Sequence, residues 1–329
     1  MRIAVDAMGG DGAPARAVRG SVEALQQLDS DLTLLLVGDP EAIGRELQEQ
    51  SVPEGRLEIV AAHESIGMGD PPVESVRRKR DSSVVRGVEL QRSGEADAFI
   101  SAGSTGAIVA ASILMLGSLP GTDRPALGAL LPTVKPHPTL VLDVGANVDC
   151  RPQQLEQFAH LGHIYVQDLE GRQMPRIGLL NVGEEAGKGD ALTLEAYRLL
   201  ERGGLNFLGN AEGRDIITGE YDVVVCDGFV GNVVLKFYES VAGHMAQIVS
   251  RAVADQATGL DLQSFCSVLD YAEYGGAPLL GVGGVTVICH GDSPSRAYRN
   301  AIRVAIKSVE SDMVEHLRRE LSQPAGTGV

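Results

Sequence analysis

Short apolar runs alternate with amphipathic segments along most of the chain. Several runs are almost wholly apolar, which is typical of strands buried on both faces of a parallel sheet. The runs predict strands at Arg2–Asp6, Leu32–Gly38, Leu57–Val60, Asp97–Ser101, Ala126–Leu131, Thr139–Val144, Arg176–Asn181, Asn206–Leu208, Asp222–Asp227 and Val285–His290. Helical periodicity predicts helices at Pro14–Leu28, Glu41–Glu49, Ser82–Ser93, Pro152–Asp168 and Leu192–Arg202. This alternation indicates an α/β fold with a mostly parallel sheet, in which ligands bind beyond the carboxyl ends of the strands.

The last third of the chain has a helical pattern instead. Helices are predicted at Gly231–Gln256 and Leu262–Leu269, and a C-terminal helix is predicted to begin near Ser293–Pro294. An apolar stripe on the first of these helices is typical of packing on the core or on a second subunit, and a lipid-contacting tip is the alternative. The C-terminal pattern predicts one apolar face with Ile302, Ile306, Val309, Met313 and Leu317.

These patterns also predict the domain organisation. No repeat or low-complexity segment interrupts the chain, and no clear linker occurs before the glycine-rich end. We expect one compact α/β unit over residues 1–329, or two interleaved lobes within it. Residues 231–270 are expected to form a helical tip or dimer region, and residues 323–329 a flexible tail.

Composition narrows the class of protein. The 329 residues have a formal net charge of −16, which argues against nucleic acid and against a general attraction to anionic membranes. The four cysteines are far apart and show neither zinc-site spacing nor a disulfide framework, so no metal is expected. The chain opens on a strand pattern without a secretory leader, and no apolar run approaches the roughly 20 residues that span a bilayer. A cytoplasmic enzyme is therefore expected.

A glycine-rich turn with a single lysine follows the strand predicted at Arg176–Asn181. The turn, Gly183-Glu-Glu-Ala-Gly-Lys-Gly189, has only three residues between its first glycine and its Gly-Lys pair, whereas a P-loop has four. Glycine also replaces the Ser or Thr that would bind Mg²⁺. The two glutamates would repel a triphosphate. Lys188 is therefore predicted to meet a smaller anion or a polarised carbonyl, and not ATP.

A second turn, Ser101-Ala-Gly-Ser-Thr-Gly106, lies between a predicted strand and an apolar helix. The N-terminus of a helix presents unpaired N–H groups and a positive dipole, and Ser or Thr side chains add hydroxyl groups. This arrangement suits inorganic phosphate or a phosphoryl group. An ordinary Ser or Thr helix cap is the alternative reading of the same segment.

Two further polar clusters follow predicted strands. Asp143-Val-Gly-Ala-Asn-Val-Asp149 places carboxylates and an amide beside a glycine, although ordinary turns are also rich in these residues. Val225–Lys236 reads as a strand, a glycine-containing turn and a helix, with Asp227 and Asn232 beside the expected pocket. Lys236 lies one turn after Asn232, either on the pocket side of the helix or in solvent.

The N-terminal turn and a basic run complete the candidate features. Val5-Asp-Ala-Met-Gly-Gly-Asp-Gly12 lacks the G-x-G-x-x-G pattern, which argues against a dinucleotide site. Arg77, Arg78, Lys79 and Arg80 form the one dense basic run of an acidic chain. Such a run is usually a solvated face, but in this chain it is also a natural dock for an acidic partner.

Together these residues resemble the bacterial acyl-carrier-protein:phosphate acyltransferases of phospholipid synthesis, over almost the whole chain. The resemblance is carried by Ile3–Asp11, Pro72–Ser83, Asp97–Gly106, Leu142–Asp149, Gly178–Glu185, Gly209–Asp215, Val224–Phe229 and Tyr274–Gly281. It implies a three-layer α/β/α fold of the isocitrate/isopropylmalate-dehydrogenase type, a homodimer, and transfer of an acyl group from acyl carrier protein to phosphate. No cofactor is implied.

The chain departs from the family's pattern in two features. Ser104 stands where the family has asparagine. The family's helical tip is often lysine-rich and associated with membranes, whereas here no lysine lies between Lys236 and Lys307. A peripheral contact with the inner face of the cell membrane would therefore be mainly apolar.

The resulting hypothesis is direct attack of bound phosphate on a thioester carbonyl. Phosphate is assigned to the turn at Ser101, Gly103, Ser104, Thr105 and Gly106. Lys188 is assigned to the developing oxyanion or to phosphate, because preorganised donors at such a charge are typically worth about 3 kcal/mol each. Asn147 and Asn232 are candidate co-donors, and Asp227 would orient a donor or accept a proton.

Three alternatives are weighed against this hypothesis. A phosphotransacetylase-like enzyme would use CoA in place of the carrier protein. A decarboxylating dehydrogenase would need a nucleotide fingerprint and a set of metal-binding aspartates, neither of which the sequence contains. A non-catalytic membrane scaffold would have no need of several polar turns at strand ends.

Overall fold

The computed structural model describes residues 1–28, 31–254 and 271–322. Its strands are β1 (Arg2–Asp6), β2 (Thr33–Gly38), β3 (Leu57–Ala61), β4 (Ala98–Ser101), β5 (Ala126–Leu131), β6 (Thr139–Leu142), β7 (Ile177–Leu180), β8 (Phe207–Ala211), β9 (Val223–Val225), β10 (Ala277–Leu280) and β11 (Val285–Ile288). Its α-helices are α1 (Ala15–Gln27), α2 (Pro40–Leu47), α3 (Pro72–Arg78), α4 (Ser83–Ser93), α5 (Thr105–Leu116), α6 (Pro152–Glu170), α7 (Ala191–Arg202), α8 (Gly228–Ala254), α9 (Ser295–Glu310) and α10 (Met313–Leu321). The predicted helix at Leu262–Leu269 and the predicted tail at 323–329 lie outside the described residues.

The chain folds into two units, and the strands within each unit lie side by side. The first unit comprises Met1–Pro125 and the described residues from Gly275 onward. Its strands lie in the order β3-β2-β1-β4-β11-β10, and all are parallel except β10, which runs antiparallel to β11. The unit is therefore built from both ends of the sequence.

Helices cover both faces of the first sheet. Ala98 and Ile100 of β4 belong to the buried core that α1 and α9 share, and a β-carbon at Gly20 would overlap the backbone of Ser295 on α9. Phe99 points to the opposite face, where its ring packs on Gly87 of α4. Since neighbouring residues of a strand face opposite ways, this places one helix layer on each side of the sheet.

The second unit is Ala126–Tyr274. Its strands lie in the order β5-β6-β9-β7-β8, with β5 antiparallel to β6 and the other neighbours parallel. Helix α6 packs on α7 and on β9, where Gly162 allows a close approach to Val223. The carboxyl ends of β6, β9, β7 and β8 consequently lie along one edge of this sheet.

The structure confirms the predicted α/β alternation and a mostly parallel sheet with flanking helices. Each predicted strand is present, and Arg2–Asp6 and Ala126–Leu131 have the predicted bounds. Strand β10 and helix α3 were not predicted, because each is short and opens beside proline. Among the described residues, no helix is both long enough and apolar enough to cross a membrane.

The prediction of a single C-terminal helix was wrong. The helix stops at Glu310, and Asp312 adopts a left-handed conformation with φ 54° before a second helix begins at Met313. Ile302 and Met313 are nevertheless both buried. An apolar stripe that continues across a two-residue break therefore looks like a single helix in the sequence.

Candidate active site

A buried carboxylate lies at the edge of the first unit's sheet where the parallel strands end. Asp6, at the end of β1, is fully buried and accepts N–H groups from Met8 at 2.9 Å and Gly9 at 3.0 Å. The Ser101 hydroxyl donates to its other oxygen at 2.6 Å. Burial raises the pKa of Asp6, and the hydroxyl groups of Ser101 and Ser83 act in the opposite direction. Asp6 thereby joins the ends of β1 and β4.

Ser101 supports its turn from within. Its hydroxyl is buried, and while it donates to Asp6 it also accepts the Gly103 N–H at 3.0 Å. A β-carbon at Gly9 would lie 2.6 Å from both an Asp6 oxygen and the Gly103 nitrogen, so the turns after β1 and β4 are in close contact. Both of these hydrogen bonds are internal, and they hold the turn in place.

The N-terminus of α5 is the open part of this turn. Ser104 occupies the N-cap position but makes no side-chain capping hydrogen bond. Thr105 is half-buried and Gly106 is exposed, and Pro72 packs closely against Gly106. The first N–H groups of a helix have no partner inside the helix. Their dipole and the two hydroxyl groups leave this end suited to an anion.

A second buried carboxylate lies where the parallel strands of the second unit end, and it holds the turn after β6. Asp143, directly after β6, is fully buried. One of its oxygens accepts the N–H groups of Leu127, Gly145 and Ala146 at 3.0–3.1 Å. The other accepts the backbone and side-chain N–H groups of Asn147 at 2.6 and 2.9 Å. Burial raises the pKa of Asp143, and these donated hydrogen bonds act to lower it.

Three predicted site residues of the second unit make specific structural contacts. Asn147 is buried and donates its amide to Asp143. Asp227 caps the N-terminus of α8, because its Oδ1 accepts the backbone N–H groups of Phe229 at 2.9 Å and Val230 at 3.0 Å. Asn232 donates to the Val144 carbonyl at 3.1 Å, which ties α8 to the Asp143 turn. The structure thus brings Asn147, Asp227 and Asn232 around one turn.

Lys188 lies in the loop between β7 and α7. Its side chain is exposed, and its ammonium makes no ion pair with any residue in the described ranges. Two amides hold the backbone of the loop. Asn181 Nδ2 donates to the Lys188 carbonyl at 3.0 Å, and Asn210 Nδ2 donates to the Glu185 carbonyl at 2.8 Å. The lysine is therefore carried on a fixed backbone with a free charge.

Gly189 explains why the loop departs from a P-loop. Its φ is +107°, a region that favours glycine. A β-carbon there would overlap the Thr193 hydroxyl and would lie 2.6–2.8 Å from the Asn181 amide. A Ser or Thr at this position would disturb the contact that holds Lys188.

The predicted basic run is only partly available. Lys79 donates to the Ser65 carbonyl and to Asp70, both at 2.7 Å, so it ties down the preceding loop. Arg78 pairs with Glu74 at 3.2 Å on the exposed side of α3. Arg77 and Arg80 are exposed and make no ion pair with described residues. These two arginines are the cations left for a partner.

Three residues that contribute to these arrangements were not singled out from the sequence. Asn181 and Asn210 hold the Lys188 loop, and Arg214 pairs with Glu184 of that loop at 2.9 Å. Asn210 and Arg214 lie in one of the segments that carry the family resemblance, which was the available signal. Among the described residues, no three His, Cys, Asp or Glu side chains gather as a metal site.

Comparison with known proteins gives one consistent family. Residues 1–316 match the family described as "Fatty acid synthesis protein". A phosphate acyltransferase of Pelotomaculum thermopropionicum is 48% identical over 98% of this chain and 95% of its own. One from Desulforamulus reducens is 47% identical over 99% of each chain, and one from Nostoc sp. is 47% identical over 97% and 96%.

Solved structures with the same architecture are more distant. A phosphotransacetylase from Streptococcus pyogenes has a TM-score of 0.64 and 19% identity, with 94% of each chain covered. A 4-hydroxythreonine-4-phosphate dehydrogenase from Klebsiella pneumoniae has a TM-score of 0.55 and 15% identity, with 94% and 99% covered. At these identities the likeness establishes the fold.

Proposed function

We propose that this chain, which belongs to the phosphate acyltransferase family, is a transferase that moves a fatty acyl group from acyl carrier protein to inorganic phosphate. The observation that carries this proposal is identity of 47–48% over nearly the whole chain to proteins with that name. The product is an acyl phosphate, an activated acyl group for glycerophospholipid synthesis.

The reaction balances without a further reactant. A phosphate oxygen attacks the thioester carbonyl, the new C–O bond forms, the C–S bond breaks, and the carrier's thiolate leaves. Negative charge develops on the carbonyl oxygen, where a preorganised donor lowers the barrier by about 3 kcal/mol.

We assign phosphate to the N-terminus of α5, with Ser104 and Thr105 as hydroxyl donors and Gly103 and Gly106 providing close approach. The absence of a side-chain cap on this helix supports the assignment. Ser101 would act indirectly, through its bonds to Asp6 and Gly103.

We assign Lys188 to the developing oxyanion or to phosphate, because its charge is exposed on a fixed loop. Asn232 and Asn147 are retained as candidate donors and Asp227 as a candidate proton acceptor. Each of the three has a structural contact that a catalytic role would have to share.

We also propose a homodimer and a cytoplasmic location. Helix α8 supports the dimer, because its side chains at Val233, Phe237 and Ile248 are 55%, 70% and 48% exposed. A peripheral contact with the inner face of the cell membrane is a separate proposal, and flotation of the purified protein with lipid vesicles tests it.

One experiment tests the activity. Purified protein is incubated with acyl carrier protein charged with a fatty acyl group and with phosphate, and acyl phosphate is trapped with hydroxylamine. We expect trapped product that requires phosphate and is much reduced when acyl-CoA replaces the acyl-carrier donor. Equal rates with both donors would favour a phosphotransacetylase-like enzyme, and no product with either would refute the proposed function.

A further inference from the structure

We propose that Asn181 and Asn210 are positioning residues that set the rate of acyl transfer by holding the backbone under Lys188. This inference rests on the proposed function of Lys188 and extends it to two residues that have no assigned role. The two amides form a connected pair, since Asn181 Nδ2 also donates to Asn210 Oδ1 at 3.1 Å.

The pair holds two carbonyl groups of one loop. Asn181 donates to the Lys188 carbonyl at 3.0 Å and Asn210 donates to the Glu185 carbonyl at 2.8 Å. Lys188 itself closes the turn between them, because its N–H donates to the Glu185 carbonyl at 3.0 Å. The lysine is thus fixed on both sides of its own Cα, while its side chain is left free.

The pair is itself rigidly mounted. Asn210 lies within β8, is only 3% exposed, and stands beside Leu179 in the register of β7 and β8. Its backbone carbonyl accepts the Tyr221 hydroxyl at 3.0 Å. Asn181 follows β7 directly and donates its N–H to the Ala211 carbonyl at 2.8 Å. Groups mounted on strands hold a site more accurately than groups mounted on loops.

Charge alone would not fix this loop. The Arg214–Glu184 ion pair at 2.9 Å also ties the loop to the segment after β8, but both side chains are more than 60% exposed. Exposed ion pairs contribute little, typically up to about 1 kcal/mol. The amide pair acts directly on the backbone: the bonds from Asn210 to Glu185 and from Asn181 to Asn210 are partly buried, and the bond from Asn181 to Lys188 is exposed. Three connected hydrogen bonds on one short loop therefore constrain it more than one exposed ion pair.

Removing either amide should slow turnover more than it weakens binding. We expect Asn210→Ala and Asn181→Ala to lower kcat by about 10- to 100-fold, because small misplacements of a catalytic group have effects of this size. KM for the acyl donor should stay within about threefold, since the two amides are proposed to act through the Lys188 loop and not on the donor. Asn206→Ala is the matched control, because that amide donates to the Met174 carbonyl at 3.2 Å, away from the Lys188 loop.

A double-mutant cycle separates positioning from a general structural role. If the amides act through Lys188, adding Asn210→Ala to Lys188→Ala should cause no further loss of kcat. Losses that multiply would overturn the positioning role while leaving the proposed function intact. A wild-type rate for Lys188→Ala would instead overturn the role of Lys188, and with it this inference.

Hydrogen exchange provides a readout that needs no activity. In Asn181→Ala and Asn210→Ala, the Lys188 amide should exchange at least about tenfold faster, because its turn loses an anchor. Exchange in β7 and β9 should not change. If Asn210→Ala fails to fold, Asn210→Asp keeps the acceptor for Asn181 and removes only the donor to Glu185. Unchanged exchange at Lys188 in Asn181→Ala and in the folded Asn210 variant would overturn the proposal.

Discussion

Ser101 and Asp6 lie 95 positions apart in the sequence, yet their side chains form a 2.6 Å hydrogen bond in the core of the first unit. Replacing Ser101 with alanine removes a donor from a buried carboxylate and the acceptor of the Gly103 N–H. We expect the free energy of unfolding to fall by about 1–3 kcal/mol and KM for phosphate to rise. Urea denaturation and phosphate titrations measure the two effects.

Ser112→Ala is the control for this prediction. Ser112 is also buried in the first unit, but within the described residues its hydroxyl is hydrogen-bonded only to the Thr286 hydroxyl, at 3.5 Å. Removal of this hydroxyl should lower the free energy of unfolding by less than about 1 kcal/mol, because no charged group loses a hydrogen-bond donor. Equal effects of the two substitutions would contradict the role given to the Asp6–Ser101 pair.

At the residue scale, the sequence shows which charged and polar side chains stand in each turn, but it does not show which other side chains they bind. Lys188 was predicted to meet a small anion or a polarised carbonyl, and its exposed side chain has no ion-pair partner among the described residues, so that prediction stays open. Lys79 was grouped with its arginine neighbours, whereas its ammonium is bound by Ser65 and Asp70. The bond between Asp6 and Ser101 depends on which strands become neighbours, and that information is not local.

At the scale of a single element, α8 offers two glycines for comparison. A β-carbon at Gly231 would overlap the Asp143 carbonyl, whereas one at Gly243 meets nothing within 4 Å. We expect Gly231→Ala to lower the free energy of unfolding by about 1–3 kcal/mol through overpacking. Gly243→Ala should raise it by up to about 1 kcal/mol, because alanine is the better helix former. Thermal and urea denaturation of both variants check the contrast, and a stable Gly231→Ala would contradict the close approach.

Helix α6 should make stability depend on pH. Burial, and then the charge of nearby His163, lowers the pKa of His160 from its ordinary value of 6.5. The folded state therefore favours the neutral ring, so the stability it contributes is present above pH 6.5 and is lost as the pH falls below that value. The free energy of unfolding, measured by urea denaturation, should fall less in His160→Gln than in the wild type when the pH is lowered from about 7.5 to 5.5.

A control for His160 is available on the surface. His63 is exposed, so His63→Gln should keep the wild-type drop in stability. If His160→Gln loses as much stability on acidification as the wild type, burial of the ring is not the cause.

The contrast between β1 and β10 shows which elements the sequence predicts. Strand β1 is a run of buried residues bounded by a turn, and its predicted bounds are confirmed. Strand β10 is four residues long with a proline at its second position. Proline removes a ladder donor and usually argues against a strand, so only pairing with β11 identifies it.

At the scale of the whole molecule, the net charge of −16 makes recognition of an acidic carrier dependent on a few cations. We expect Arg77→Glu/Arg80→Glu to raise KM for acyl carrier protein by about 10- to 100-fold with little change for acyl-CoA. Arg45→Glu/Arg198→Glu carries the same charge change on other helices and should have a small effect. Steady-state kinetics with both donors test this expectation, and equal losses with both would argue against docking at the basic run.

The exposed side of α8 is the surface through which we expect the proposed homodimer to form. Phe237 is 70% exposed, and an apolar helix face of this kind normally has a partner. We expect Phe237→Asp to shift a dimer toward monomer in sedimentation velocity. Leu208→Asp changes an equally apolar side chain, 51% exposed on β8, and should leave the dimer intact. A dimer that persists in Phe237→Asp would place the interface elsewhere.

The inclusion of both chain ends in the first unit has a consequence for biosynthesis. Strand β4 pairs with β1 on one side and with β11 on the other, where Ile100 lies opposite Val287. A ribosome that adds about 5–20 residues per second needs roughly 10–40 s to travel between these two positions. Throughout that interval β4 has an unpaired row of N–H and C=O groups, the kind of edge that invites pairing with other chains. The nascent protein therefore has its greatest need of chaperone protection while its second unit is being translated.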